Sequence, residues 1–185
     1  MLDEIIGDAD ERMGKTLDSL QQAFSRIRTG RANPNLLDGV SVKYYDVDTP
    51  LSQVASISVE DARTLVVSPW EKSIIPDIEK EILKSDLGIT PVTSGDIIRI
   101  PLPPLTEENR RDLAKIAKSE AENARIAIRN IRRDAIGDCK EMVKEKMVAE
   151  DEGRRGEERV QVITDSRIAE VDAFLATKEN DLMQI

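Results

Sequence analysis

A chain of 185 residues, 39 % hydrophobic and 34 % charged, has the make-up of a folded protein with room for one sizeable core or two small ones. It contains no histidine and a single cysteine, Cys139, which excludes histidine-based acid–base or metal chemistry and an internal disulfide framework. The net charge of −9 argues against indiscriminate binding to polyanions, and no apolar run approaches the roughly 20 residues that span a bilayer.

Aromatic residues make up only 3 %, so any core is built from Leu, Ile, Val and Ala. The first residues, Met1-Leu2-Asp3-Glu4-Ile5-Ile6, are acidic and amphipathic. They lack the basic start and apolar middle of a secretory leader, and a cytoplasmic protein is expected. Residues 2–28 carry Leu2, Ile6, Ala9, Met13, Leu17, Leu20, Phe24 and Ile27 at steps of three and four, the spacing of one helix face. Gly7 and Gly14 each weaken that helix by up to about 1 kcal/mol relative to Ala.

Gly30, Asn33 and Pro34 end the pattern, since Gly30 can take positive φ and Asn33 is pushed out of the helical region by the proline. From 39 to 100 the period changes. Val40-Ser41-Val42-Lys43-Tyr44, Val54-Ala55-Ser56-Ile57-Ser58-Val59, Thr64-Leu65-Val66-Val67 and Asp96-Ile97-Ile98-Arg99-Ile100 read as strands. Between the last two a helix is expected over 73–83, capped by Ser73, with Pro76 in its first turn and Leu87-Gly88 ending it.

Pro101-Leu102-Pro103-Pro104-Leu105 closes this unit. Thr106 then caps a helix of about 40 residues, with Glu107 and Glu108 in the first turn where the helix dipole favours acids. Ala117, Ala124 and Ile131 repeat every seven residues, as do Ala114, Ala121, Ile128, Ala135 and Met142, a coiled-coil-like seam whose alanines permit close approach. Cys139 lies on that apolar side and reads as a small buried hydrophobe. Residues 149–156, with Gly153 and Gly156, read as a polar turn or fray. A third helix follows, with Val160, Thr164, Ile168, Val171, Leu175 and Leu182 on one face.

The expected fold is therefore α+β in two domains. A three-helix bundle is formed by 1–30 and 105–185, and a small β/α/β domain, 31–104, is inserted between its first two helices. Two linkers side by side, one with Gly30 and Arg31 and one with Pro103, Pro104 and Leu105, restrict twisting but permit hinging. The alternative is that Pro and Gly only mark boundaries.

Charge is concentrated on the second long helix. Residues 110–133 hold eight bases against three acids, a net of +5. Arg111, Lys118, Arg125 and Arg132 recur every seven positions on one side of the helix, with Arg129 and Arg133 beside the end of the row. Arg125, Arg129, Arg132 and Arg133 meet at i+3 and i+4, where like charges repel, and Glu122 is the one acid on this helix well placed against them. Acids on the other two helices are the remaining source of compensation, and with them the row becomes an ordinary salt-bridged face. Clustered arginine suits phosphate, and no aromatic interleaves the row, so recognition of RNA backbone and shape is expected rather than base stacking.

Over essentially its whole length the chain resembles the bacterial ribosome recycling factor family. The resemblance is carried by Ile27-Arg28-Thr29-Gly30-Arg31-Ala32 with Pro34 and Leu36-Leu37-Asp38; Ser85-Asp86-Leu87-Gly88; and Pro101-Leu102-Pro103-Pro104-Leu105-Thr106-Glu107-Glu108. It continues in Arg129-Asn130-Ile131-Arg132-Arg133-Asp134, Glu150-Asp151 with Arg154-Arg155, Val160-Gln161 and Thr164-Asp165. The resemblance implies an L-shaped, non-enzymatic, monomeric protein without cofactor, metal or catalytic residues. It implies that the bundle binds large-subunit rRNA of the post-termination ribosome. With elongation factor G and GTP, such factors split the subunits and release mRNA and tRNA. Arg132 matches the family's principal rRNA-contacting arginine, with Arg129 and Arg133 beside it and Arg28, Arg31 and Arg110 as further RNA-binding candidates. The inserted domain would be the moving arm engaged by elongation factor G.

Two other readings of the same residues are a coiled-coil adaptor whose basic ridge docks an acidic protein, and a carboxylate-dependent enzyme. The missing histidine, metal motifs and phosphate-cradling glycine loop disfavour the enzyme.

Overall fold

Helix α1 (Leu2–Ser25) follows the apolar stripe, burying Ile6, Ala9, Met13, Leu17, Leu20 and Phe24. It stops at Ser25, three residues before the expected end, although Ile27 beyond it is still buried. The computed structural model describes residues 1–184 apart from Asp86. Asp86, one of the residues that carry the family resemblance, and Ile185 lie outside the described residues.

The chain forms two compact units, one of Met1–Phe24 with Ala114–Met183 and one of Ser25–Leu113 with Gln184. In the second unit, β1 (Ser41–Tyr44) and β2 (Val47–Pro50) make an antiparallel hairpin. Tyr45 and Asp46 close it at φ 50° and 65°, the positive-φ pair that suits a two-residue hairpin turn. A short helical turn, α2 (Leu51–Val54), leads into β3 (Ala55–Asp61) and β4 (Thr64–Pro69). Helix α3 (Ile75–Lys84), β5 (Val92–Ser94) and β6 (Ile97–Pro101) follow. The larger sheet has the order β3-β4-β6-β5 and is antiparallel throughout.

Leu65 and Val67 of β4, Ile98 and Ile100 of β6, and Ile78 and Ile82 of α3 are all fully enclosed in one aliphatic core. Two strands are additions to the sequence reading. β2 carries Asp48 and ends at Pro50, and all three residues of β5 are exposed, so neither shows an apolar alternation. The entry to α3 also differs from expectation. Ser73 lies within a 3₁₀ turn, Lys72–Ile74, and the helix starts at Ile75 with no side-chain cap. Burial of Ile74 and Ile75 fixes that entry instead, while Pro76 is in the first turn as expected. The helix ends at Lys84, one residue beyond the expected Leu83 and before Leu87-Gly88, and the Ser85 hydroxyl donates to the Ile82 carbonyl at 2.6 Å.

The remaining long helices are α4 (Glu107–Lys144) and α5 (Glu150–Met183), and the first unit is a bundle of α1 through Phe24, α4 from Ala114 onward, and α5. Thr106 caps α4, its hydroxyl oxygen accepting from the Asn109 N–H at 3.0 Å. Ala117, Ala121, Ala124, Ile128, Ile131, Ala135 and Cys139 form the buried seam. Polar pairs fix the helix directions. Arg159 meets Asp3 and Arg167 meets Asp10, so α5 runs parallel to α1. Arg125 meets Asp172 and Lys140 meets Glu157, so α4 runs antiparallel to α5.

The stretch expected to be a polar turn or fray is mostly helix. Helix α5 begins at Glu150, and Gly153 and Gly156 are buried on its inner face. A Cβ on Gly153 would collide with the Val143 Cγ2 methyl, and one on Gly156 would lie 3.4 Å from the Cys139 sulfur and from Leu2. These glycines admit the end of α4 rather than loosen the chain. No helix among the described residues is long and apolar enough to cross a membrane.

Candidate nucleic-acid interface

Residues seven apart on α4 share a side of the helix, yet the structure gives the members of the basic row different surroundings. Arg111 pairs with Glu107 one turn earlier at 2.6 Å. Arg125, with only 19 % of its side chain exposed, sends Nε and Nη2 to Asp172 Oδ1 at 3.0 and 2.6 Å and Nη1 to Glu122 Oε2 at 3.1 Å. The hydrogen bond to Asp172, together with that to Glu122, raises its pKa further. Its charge is compensated by Asp172 of α5 and by Glu122, so at Arg125 the alternative of an ordinary salt-bridged face holds.

Further along the helix the compensation fades. Arg129 is exposed and its nearest carboxylate oxygen, on Glu122, is 3.5 Å away. Arg133 is exposed, with a 3.4 Å hydrogen bond to the Asn130 side-chain oxygen. Arg132 is partly buried, its Nε donating to Gln161 Oε1 of α5 at 2.7 Å. Among the described residues neither Arg132 nor Arg133 forms an ion pair. Asp134, the next residue, is instead paired with Arg12 of α1 at 3.3 Å.

The result is three arginines within five residues of α4, with fewer carboxylate partners than cations. They fall within little more than one turn of helix, and the seam residues Ile128, Ile131 and Ala135 anchor that stretch in the bundle. Such a group can bind phosphate oxygens by paired, charge-assisted hydrogen bonds without reorganising the backbone.

The other arginines predicted for RNA belong to the second unit. Arg28 is partly buried and its Nη2 donates to the Pro103 carbonyl. Its Nε is buried without a hydrogen-bond partner, and burial lowers its pKa. Arg110 Nη1 donates to the Gln184 carbonyl at 2.7 Å, and Arg31 is exposed. Among the linker residues Gly30 has φ +83°, and a Cβ there would stand 3.9 Å from Leu105, which is buried. The Arg28–Pro103 contact joins the two linker sequences within one unit.

Cys139 is enclosed, and burial pushes its thiol pKa up, which agrees with a core residue rather than a nucleophile. No cluster of three or more His, Cys, Asp or Glu able to hold a metal exists among the described residues. The sequence reading has Gln161 among the residues that carry the resemblance but not its contact with Arg132, 29 positions away. Its only local signal is Asp165 four residues on, the spacing of neighbours on a helix face.

A sequence profile of the ribosome recycling factor family matches residues 20–183. The ribosome-recycling factor of Marinomonas sp. (strain MWYL1) is 59 % identical over 185 residues, and that of Alcanivorax borkumensis is 57 % identical, each alignment covering 100 % of both chains. A solution structure of a ribosome recycling factor aligns with a TM-score of 0.77 at 34 % identity, covering 100 % of this chain and 98 % of the other. The T. thermophilus ribosome recycling factor aligns over 100 % of both chains, with a TM-score of 0.69 at 42 % identity. That protein is described with the E. coli elongation factor G, bound to the E. coli post-termination complex.

Proposed function

We propose that this chain, which belongs to the ribosome recycling factor family, binds the post-termination ribosome through Arg129, Arg132 and Arg133 and, with elongation factor G and GTP, promotes subunit splitting and release of mRNA and tRNA. The family is one of translation factors that are not enzymes. The observation that carries the residue assignment is the loss of carboxylate partners along α4. Arg125 is neutralised by Asp172 and Glu122, whereas Arg132 and Arg133 form no ion pair among the described residues. A surface built for stability alternates signs, and the like charges here meet at i+3 and i+4. RNA phosphates remove that repulsion on binding.

In this reading the bundle, 1–30 with 105–185, docks on large-subunit rRNA. The inserted domain, 31–104, is the arm that elongation factor G engages. Gly30, Arg31, Pro103, Pro104 and Leu105 form the hinge, and Arg28, Arg31 and Arg110 are secondary RNA contacts. The protein acts as a cytoplasmic monomer. The complex described for the T. thermophilus relative, with elongation factor G on a post-termination ribosome, supports both partners.

Binding of wild type, R132A and R133A to large ribosomal subunits tests the RNA face. Each substitution is expected to weaken binding by about tenfold, the equivalent of one charge-assisted hydrogen bond, with an unchanged circular dichroism spectrum. Wild-type affinity for both variants would overturn the assignment.

A further inference from the structure

Arg132 is held by a neutral side chain where a carboxylate would have fitted. Gln161 Oε1 accepts from Arg132 Nε at 2.7 Å, and Gln161 Nε2 donates to Asp165 Oδ1 at 2.8 Å. The orientation of the amide follows from its neighbours. Arginine can only donate and the ionised aspartate can only accept, so the amide satisfies both with its oxygen towards Arg132. A carboxylate at position 161 could accept the same hydrogen bond, but it would also place a negative charge against the guanidinium. The contrast lies seven residues earlier, where Arg125 meets two carboxylates and is enclosed by them.

We propose that Gln161, oriented by Asp165, is a positioning residue for Arg132, fixing its guanidinium through Nε while leaving its charge and its Nη1 and Nη2 donors for an RNA phosphate. The inference rests on the reading of Arg132 as an RNA contact. The hydrogen bond aligns the planar group and reduces the side-chain freedom that would otherwise be lost on binding. Because the acceptor is neutral, the charge remains available to the phosphate. Gln161 bridges Arg132 and Asp165, which form no ion pair with each other among the described residues.

A charge exchange tests this without altering net charge or the number of hydrogen bonds. In the double variant Q161E/D165N, the carboxylate introduced at position 161 accepts from Arg132, and the amide introduced at position 165 donates to that carboxylate. The network persists, but the negative charge now touches the guanidinium. Affinity for large ribosomal subunits should fall by about tenfold, and the slope of log K against log salt should become shallower by roughly 0.7 to 0.9, the equivalent of one phosphate contact. The melting temperature should not fall. Q161M, which removes the acceptor and keeps the charge, should weaken binding severalfold with an unchanged salt slope.

A Q161E/D165N protein with wild-type affinity and salt slope would overturn the inference. R132A measured in parallel separates the two levels. If R132A is weakened and the exchange is not, only the positioning role fails; if R132A also binds like wild type, the RNA contact itself fails.

Discussion

Arg125 and Arg132 occupy equivalent positions one heptad apart on α4, and their partners differ in charge. Arg125 is enclosed by Asp172 and Glu122, while Arg132 meets an amide. Arg125→Ala should therefore lower stability by about 1 kcal/mol, through lost ion pairs and lost packing of the aliphatic stem. Ribosome affinity should be retained. A denaturant titration beside a binding curve checks this, and unchanged stability with lost binding would reverse the assignment.

The periodicity of the arginines was legible in the sequence, but their division was not. The carboxylate that separates them, Asp172, is 47 positions from Arg125, and the register of α5 against α4 decides which arginine it reaches. The same limit hid the contact of Gln161 with Arg132. At the residue scale the second unit offers a titration. The Tyr44 hydroxyl donates to Glu71 at 2.5 Å, and this bond pushes the phenol pKa up to about 12. Since the folded value is raised, the stabilisation is fully present below the unfolded pKa of about 10 and is lost as pH rises through about 12. Ultraviolet titration of Glu71→Gln should show this phenol ionising at lower pH than in wild type; an unmoved curve would reject the coupling.

At the scale of elements, helices with a continuous apolar stripe were readable because burial repeats every three or four residues. The antiparallel strands of the sheet interior, β4 and β6, were readable for their β-branched, alternately buried residues. Strands β2 and β5 were not, since they bury little and their pairing comes from neighbours outside their own short runs.

The glycines of α5 misled for a different reason. Composition suggested fray, whereas the residues that approach Gly153 and Gly156 come from α4 and α1. Gly153→Ala would gain up to about 1 kcal/mol in helix propensity. It also forces a methyl into the space of Val143, a stiff β-branched side chain, and overpacking of this kind costs about 1–3 kcal/mol. Thermal melting should show Gly153→Ala destabilised and the Gly153→Ala/Val143→Ala pair partly restored. Gly137→Ala, with nothing near the added carbon, should be stabilised by up to about 1 kcal/mol. Equal behaviour of the two alanine substitutions would contradict close packing at Gly153.

For the whole molecule, a net charge of −9 coexists with an arginine group poor in acidic partners. Under the proposed function, the overall negative charge disfavours RNA in most orientations, while the arginine face would attract it in one. The α+β fold class and the family were legible from the sequence, the latter because matching blocks recur in order along nearly the entire chain. The pairing of Arg125 with Asp172 and the engagement of Arg28 with Pro103 depend on tertiary contacts and emerge only in the folded chain.

The most direct measurement of the central claim is subunit splitting of post-termination ribosomes by wild type and R132A/R133A, followed by light scattering with elongation factor G and GTP. Wild type is expected to split the ribosomes only when both are present, whereas the double variant, equally folded by circular dichroism, is expected to leave them intact. Splitting by the double variant at the wild-type rate and concentration dependence would contradict the assignment of the arginine cluster as the ribosome-binding site.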